Sequence, residues 1–497
     1  MTQPHSAGSR FGCQGRARTP RSLSLIPIVC RVGYGFAVSM SPMCAALAAT
    51  PPVPLEDSGA SIPNGTAPNT AREPNTPTPA APGVPQNPYA NYRWKGVNVN
   101  LPPPAGTLDQ GLGGLRRKLA DEYGIGYIGY SGTTFYANVA NHANKINGAQ
   151  LYVGQKPTIL SSNFLTVTVD LSRYGIPDGQ VAASGVVQAT SWNPLGPRTV
   201  NLGTLSYYQT LFNKRIEVKF GLLANSFEFV GPFTASSLSG GVFGPQGNII
   251  SETGTSALQY PTVGLNITGH ITENIYDKIG VARATHPDGT IAEHNYNPSG
   301  LSRFNVPNSG GYVINELGYL RPAAAGKPQT WVRGGGLLSN SRYQELDHPR
   351  ARSGDNYAAY ILADRQFLQT SAVPGEAYRG LYAGFTYEFA PANYNRFSQY
   401  YEGRIYALGI IPSRPRDQTS LVVTNTVFSP IAVDALRGRR QLTHSNSKAV
   451  TLSYSAQIVP GVFANAAVAF VDHPTPIIYT SNTGSALNLI TGLALFF

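Results

Sequence analysis

The sequence predicts an all-β chain: a transmembrane antiparallel β-barrel preceded by a short N-terminal helix. Three observations predict it. The stretch Ala486–Phe497 alternates strictly, with Leu487, Leu489, Leu493, Leu495 and Phe497 on one side and Asn488, Ile490, Gly492, Ala494 and Phe496 on the other. Period two means a strand with two different faces, here one lipid-like and one small or mixed. Only 13% of residues are charged, against 53 glycines and 28 tyrosines, where a soluble chain carries about a quarter charged residues. No unbroken run of about 20 apolar residues occurs to make a helical span. A barrel needs none, because each strand carries its apolar residues at every second position.

Residues 1–49 read as an export signal. Arginines precede an apolar stretch from Val32 to Leu47 that ends in the small-x-small pattern Ala46-Leu47-Ala48, the form a signal peptidase cuts. All three cysteines (Cys13, Cys30 and Cys44) and all three methionines lie in this segment. Its removal leaves a chain without a disulfide framework, thiol catalysis or cysteine metal site. It also removes five arginines, with no acid before Glu56, and so lowers the formal charge from +11 to +6. That modest balance argues against nucleic acid as a partner.

Residues 50–108 form a Pro-, Ala-, Thr- and Asn-rich stretch with few large apolar residues. Such a segment cannot bury enough surface to offset its ordering entropy, so a flexible periplasmic linker is expected. The barrel domain is expected over residues 109–497. It opens with Leu112, Leu115, Leu119 and Tyr123 at helical spacing, among Arg116, Arg117, Lys118, Asp121 and Glu122. This is a short amphipathic helix, expected to cap the periplasmic end of the barrel.

Beyond Gly124 the chain reads as strand and turn. Leu165, Val167, Val169 and Leu171 alternate with Thr166, Thr168, Asp170 and Ser172. Ile216, Val218 and Phe220 oppose Arg215, Glu217 and Lys219. Leu381, Ala383, Phe385, Tyr387 and Phe389 oppose Tyr382, Gly384, Thr386 and Glu388, and Val450, Leu452 and Tyr454 oppose Thr451, Ser453 and Ser455. One apolar-out, polar-in design thus recurs in four separated segments. A soluble sandwich would use the same alternation, but export and the closing strand favour the barrel. Short turns at Leu211–Lys214 and Val459–Gly461 suit the periplasmic end. The longer Gly/Pro/Asn/Ser-rich stretches Ser236–Gln259, Thr285–Gly311 and Gln344–Asp355 suit extracellular loops.

Several motifs together resemble the carbohydrate-selective, OprB-type porin family of Gram-negative outer membranes. They are Gly111–Ala120 before the first strand, Leu205–Phe212 with Arg215–Asn225, Gly380–Gly384, Gly409–Asp417, and the last two strands from Thr451 to Phe497. The resemblance runs from Gly111 to the end. It implies a barrel of about 16 strands in the outer membrane that conducts sugars passively. The chain departs from the family's usual Gly-Arg-Pro-Asp-Asp in having Ser413-Arg-Pro-Arg-Asp417, which makes that region more positive. It also has His473-Pro-Thr-Pro476 where the family often has Asn-Pro-Gly-Gly.

A sugar channel needs a polar lumen and weak binding rather than catalysis. Charged side chains supply hydrogen bonds to hydroxyl groups, and aromatic faces cover the apolar side of a sugar ring. The pore-lining candidates are Arg215, Glu217 and Lys219, then Glu388, Glu402 and Arg404, then Arg414, Arg416 and Asp417. The plainer role for each is a wall charge paired with its neighbours. Trp192 and Trp331 are candidate stacking residues, although interfacial girdles are the commoner place for tryptophan. The eight histidines are dispersed without metal-ligand spacing, and no metal or cofactor is expected. A barrel enzyme would need a Ser–His pair oriented by a third group, and no local motif nominates one. The expected function is carbohydrate-selective passive diffusion. A general or anion-leaning porin is the alternative, and a surface enzyme or adhesin on a barrel frame the second. Expected partners are mono- or oligosaccharides, outer-membrane lipids and, through Phe497, the barrel-assembly machinery; a homotrimer stays open as the assembly.

Overall fold

The computed structural model describes residues 92–98, 106–111, 114–140, 150, 152–192, 197–230, 248–298, 305–373, 375–441, 443–474 and 484–497. The export signal and most of the expected linker lie outside them.

Among the described residues sixteen strands close into one antiparallel barrel. They are β1 (Ile125–Asn138), β2 (Thr158–Asp170), β3 (Gln180–Thr190), β4 (Asn201–Leu211), β5 (Ile216–Leu223), β6 (Thr262–His270), β7 (Ile275–Arg283) and β8 (Gly311–Arg321). The second half comprises β9 (Thr330–Ser339), β10 (Asn356–Gln369), β11 (Gly380–Phe389), β12 (Phe397–Leu408), β13 (Gln418–Phe428), β14 (Asn446–Val459), β15 (Val462–Asp472) and β16 (Ala486–Phe496). Each strand pairs with the next in sequence. The ring closes where β16 pairs with β1, from Tyr130 opposite Phe496 to Asn138 opposite Asn488.

The alternation sets the two faces as expected. In β14, Val450, Leu452 and Tyr454 are exposed on the outside, while Thr451, Ser453 and Ser455 are buried inside. In β16 the leucines face out and Asn488, Ile490, Ala494 and Phe496 face in. Phe497 continues the pairing: its N–H donates to the Gly129 carbonyl over 3.0 Å and its carbonyl accepts from the Gly129 N–H. Its ring lies over Gly129, where any Cβ would collide with it. Gly129 is therefore the seat of the terminal aromatic.

The connections are asymmetric. The β4–β5 and β14–β15 links are tight turns at one end, whereas β5–β6, β7–β8 and β9–β10 are joined at the other by long loops. The three stretches expected as extracellular loops all fall at that second end, with 236–247 and 299–304 of them outside the described residues. The short-turn end faces the periplasm.

The predicted helix is present as two short helical turns, Leu115–Lys118 and Leu119–Tyr123, at the periplasmic rim. Leu115 and Tyr123 are exposed, so the apolar stripe does not hold it. Charge does: Arg116 pairs with Asp109 at 3.0 Å, donates to the Tyr127 carbonyl at 2.9 Å, and lies 4.1 Å from the centre of the Tyr127 ring.

The inner face departs from the polar-in expectation. Tyr130, Phe164, Ile314, Leu337 and Leu362 point inward and are buried. Chain segments fold into the lumen and pack on them, and these insertions need apolar contacts on the wall.

Candidate functional site

The lumen is filled partly by the β5–β6 connection. After β5 a short turn at Asn225–Phe227 leads to Phe229 and Val230, and a helical turn at Asn248–Glu252 follows. Phe229, Val230, Ile249 and Ile250 are buried against Ile314, Leu337, Tyr360, Leu362, Phe397 and Tyr400 of the facing wall. Glu252 anchors the far end by accepting from Arg396 Nε at 3.2 Å and from the Phe397 N–H at 3.3 Å. Burial raises the Glu252 pKa and Arg396 opposes that shift. The loop thus crosses from the β5 side to the β10–β12 wall.

Three charge networks surround it. In the first, Lys219 on β5 pairs with Glu228 at 2.9 Å, Asn266 donates to the same carboxylate at 2.6 Å, and Lys278 donates to the Glu228 carbonyl at 3.1 Å. In the second, Glu316 on β8 accepts from Tyr276 and Tyr360, each at 2.8 Å. Arg333 lies 3.9 Å from that carboxylate, sits 3.5 Å from the centre of the Trp331 ring, and donates to the Val230 carbonyl of the inserted loop.

The third network is the most complete. Arg404 on β12 forks onto Asp364 on β10, with Nε at 2.8 Å and a terminal nitrogen at 2.6 Å. Its other terminal nitrogen donates to Glu402 at 2.9 Å and to Thr386 at 2.8 Å. Tyr400 donates to the second Glu402 oxygen at 2.6 Å. Glu388 is wholly buried beside Glu402 and beneath the Ile249 backbone. Arg404, Asp364 and Glu402, paired with their donors engaged, fit a tie across β10, β11 and β12.

Of the sequence candidates, Glu217, Lys219, Glu388, Glu402 and Arg404 lie on the inner face. Lys219, Glu388, Glu402 and Arg404 are buried, whereas Glu217 keeps 26% of its side chain exposed and pairs with His270 at 2.7 Å near the periplasmic end. Arg215 is a correction. Phe212, Asn213 and Lys214 all adopt positive φ, and Arg215 falls in this turn, exposed and just before β5 begins. Alternation carried backward through the turn had put it on the wall. Arg414 and Asp417 lie at the rim. They pair within the β12–β13 turn, where Asp417 also accepts from the outward-facing Tyr454 and from the Gln457 N–H at 3.0 Å. Arg416 in the same turn lies half-buried, 5.5 Å from the centre of the Tyr378 ring. Trp192 sits in the bend after β3 at the extracellular end and packs on the cluster of Tyr136, Tyr152 and Ile490. Trp331 points inward beneath Arg333 rather than into a girdle.

Sequence reasoning missed Asp364, Glu316, Arg333 and Glu228. The first three occupy inner positions of alternating strands, but their partners stand on other strands and no local spacing reveals them. It also missed Trp94, Lys95 and their neighbours. Residues 92–98 were expected in the linker, yet they pack on the inner wall: the Asn98 N–H donates to the Phe227 carbonyl at 2.6 Å, and Gln180 Nε2 donates to the Arg93 carbonyl at 2.7 Å. The signal that could have found them was compositional, in the aromatic residues Tyr92 and Trp94 that follow the proline-rich tract.

The model of the carbohydrate-selective porin family, OprB, matches residues 142–484. No curated protein matches the chain in sequence. Among solved structures, the chain is similar to the high-pH structure of Pseudomonas putida OprB, with a TM-score of 0.64 and 14% identity over 78% of this chain and 97% of that one. The low-pH structure of Pseudomonas putida OprB matches with a TM-score of 0.48 and 13% identity over 79% and 98%. A mutant Rh. blastica porin matches with a TM-score of 0.41 and 8% identity over 75% and 100%.

Proposed function

The chain belongs to the carbohydrate-selective porin family, and from that premise we propose the route its solutes take. It is an integral outer-membrane β-barrel through which sugars and other small solutes diffuse passively. The observation that carries the reading is a closed ring of sixteen two-faced strands with exposed aliphatic residues outside and charged and tyrosine side chains inside.

In our reading, the candidate charges divide into two kinds. Lys219, Glu388, Glu402 and Arg404 act on the solute indirectly, by holding the wall and the inserted loop in shape. Glu217 and Arg416 keep accessible surface near the periplasmic mouth, so they offer hydrogen bonds to a passing sugar. Weak contacts of this kind let the solute leave again. Arg416 favours a second reading, an anion-leaning pore, because it adds a positive charge at the mouth where the nearby Glu376 is already paired with Arg379. We further propose that residues 1–49 are removed on export and that a periplasmic linker begins near residue 50 and ends before Tyr92. Phe497, seated on Gly129, would serve the assembly machinery, and the barrel would act as a channel rather than an enzyme, alone or as a homotrimer.

Liposome swelling tests the reading. Sugars are expected to enter faster than amino acids of similar size. Equal rates would refute sugar selectivity, and no swelling would refute the channel. Sugar-induced block of planar-bilayer currents gives the preferred sugar.

A further inference from the structure

Residues 92–98 climb the inner wall of the barrel. The Tyr92 backbone lies against Gly126 near the start of β1, and its carbonyl accepts from Thr168 Oγ1 at 2.7 Å near the end of β2. Both points are at the periplasmic end. Gln180 on β3 reads the backbone as a neighbouring strand would: its Nε2 donates to the Arg93 carbonyl at 2.7 Å, and its Oε1 accepts the Lys95 N–H at 3.0 Å. Lys219 on β5 donates to the Lys95 carbonyl at 3.2 Å. Asn98 then binds Phe227 and Glu228 of the inserted loop, its side chain donating to the Glu228 carbonyl at 2.6 Å.

Side chains secure the same path. Trp94 is 7% exposed and packs with Ile128, Tyr130, Phe164 and Phe227, with Lys219 5.5 Å from its ring centre. The Lys95 ammonium donates to the Asp178 carbonyl at 3.1 Å and stands 5.8 Å from the centre of the Tyr208 ring. Gly96 has φ +70°, and a Cβ there would approach Lys219 Cδ to 3.1 Å and the Tyr208 ring to 3.2 Å. The segment therefore turns at the one residue type that tolerates both the left-handed backbone and the close wall. Residues 106–111 lie beside Tyr127, again at the periplasmic end.

Thr168, Gln180, Tyr208 and Lys219 belong to the inner face of a channel, where water would normally reach them, yet each is buried. Residues 92–98 are in contact with all four. We propose that this segment is a pore-lining strap, entering from the periplasmic mouth, which narrows the channel on its β2–β5 side and sets its size limit together with the inserted loop. The inference rests on the porin reading. It makes Trp94 a positioning residue for the size limit, although it belongs to no barrel strand.

An extended segment occupies about 5 Å by 10 Å in cross-section, or about 50 Å² of lumen. In a constriction whose free area is of similar size, losing the strap raises conductance by a factor of about two. The test uses full-length protein in planar bilayers and liposomes. In one variant residues 92–98 are replaced, position for position, by glycine and serine; in the other, Gly96→Val pushes the strap off the wall and substitutes no strand residue. Both are expected to raise single-channel conductance about twofold and to admit oligosaccharides that the parent protein excludes. Correctly inserted variants with the parent conductance and size limit would overturn the strap. So would failure of both to insert, which would make the segment a folding element. A parent protein that passes no solute refutes the porin reading instead.

Discussion

Replacing Arg404 by methionine is the sharpest test of whether the inward charges hold the wall or serve the solute. The guanidinium is fully buried and engages Asp364, Glu402 and Thr386. Methionine fills similar volume but leaves two carboxylates, Asp364 and Glu402, without their cation, with Glu388 close beside them. Removing one partner of a buried pair costs about 3–5 kcal/mol, because the remaining charge stays desolvated. At about 1.4 kcal/mol per decade, the folded-to-unfolded ratio should fall by between about a hundredfold and a few thousandfold. Guanidinium titration in detergent micelles, followed by tryptophan fluorescence, measures the loss. Neutralising the partners as well, with Asp364→Asn and Glu402→Gln added to Arg404→Met, should recover most of it, since a charge-free cluster incurs no such penalty. A single Arg404→Met variant within about 1 kcal/mol of the parent would refute the reasoning. The cluster would then behave as a hydrated, screened set of charges, and Arg404 would be free to bind solute.

Three further outcomes are expected. At the rim, burial pushes the Asp109 pKa up, but hydrogen bonds from Thr107 and Tyr127 and the Arg116 charge bring it below the usual carboxylate range. A carboxylate depressed in the folded state adds stability above its unfolded value of about 3.9 and loses it as pH falls through the lowered one. Hydrogen exchange over residues 106–123, corrected for intrinsic rate, should therefore accelerate in acid, and Asp109→Asn should abolish that pH step. Arg416→Glu should shift the reversal potential in a salt gradient toward cation preference; no shift would remove Arg416 from the solute path. Deleting Phe497 should lower the amount of inserted barrel while leaving the conductance of each inserted channel unchanged, and normal insertion would refute its assembly role.

How much of this was legible depends on where the partner of each residue stands. The strands were legible because alternation within one segment decides which residues face lipid, as in Val450–Ser455 and Leu487–Phe497. The same pattern does not separate the faces of Tyr312–Leu320, because inward Tyr312 and Ile314 are apolar like outward Val313 and Leu317. Polarity cannot separate the faces where the inner one supports the inserted loop. Arg215 was misplaced for a different reason: three consecutive left-handed residues end the alternation just before β5, and backbone dihedrals leave no mark in a hydropathy pattern. The charge networks were half legible. Glu402 and Arg404 stand two apart on one face, but the third member, Asp364, arrives from β10, across the intervening strand β11.

The strap shows most clearly why composition alone misled. A segment with few apolar residues cannot form a core of its own, which is why a flexible linker is the sequence expectation for residues 50–108. That expectation assumes the segment must supply its own apolar surface. Residues 92–98 do not: Ile128, Tyr130, Phe164 and Phe227 supply the cluster, and Trp94 is the single large side chain the segment adds to it. Gln180, Thr168 and Lys219 meet its backbone groups, whose hydrogen-bonding capacity is independent of sequence. One aromatic anchor and a glycine at the turn are then sufficient to order it. The same logic links the strap to the β5–β6 loop, since Asn98 binds Phe227 and Glu228 while Glu228 is paired with Lys219. A change at Lys219 should therefore disturb both insertions together, whereas a change at Arg404 should reach only the loop.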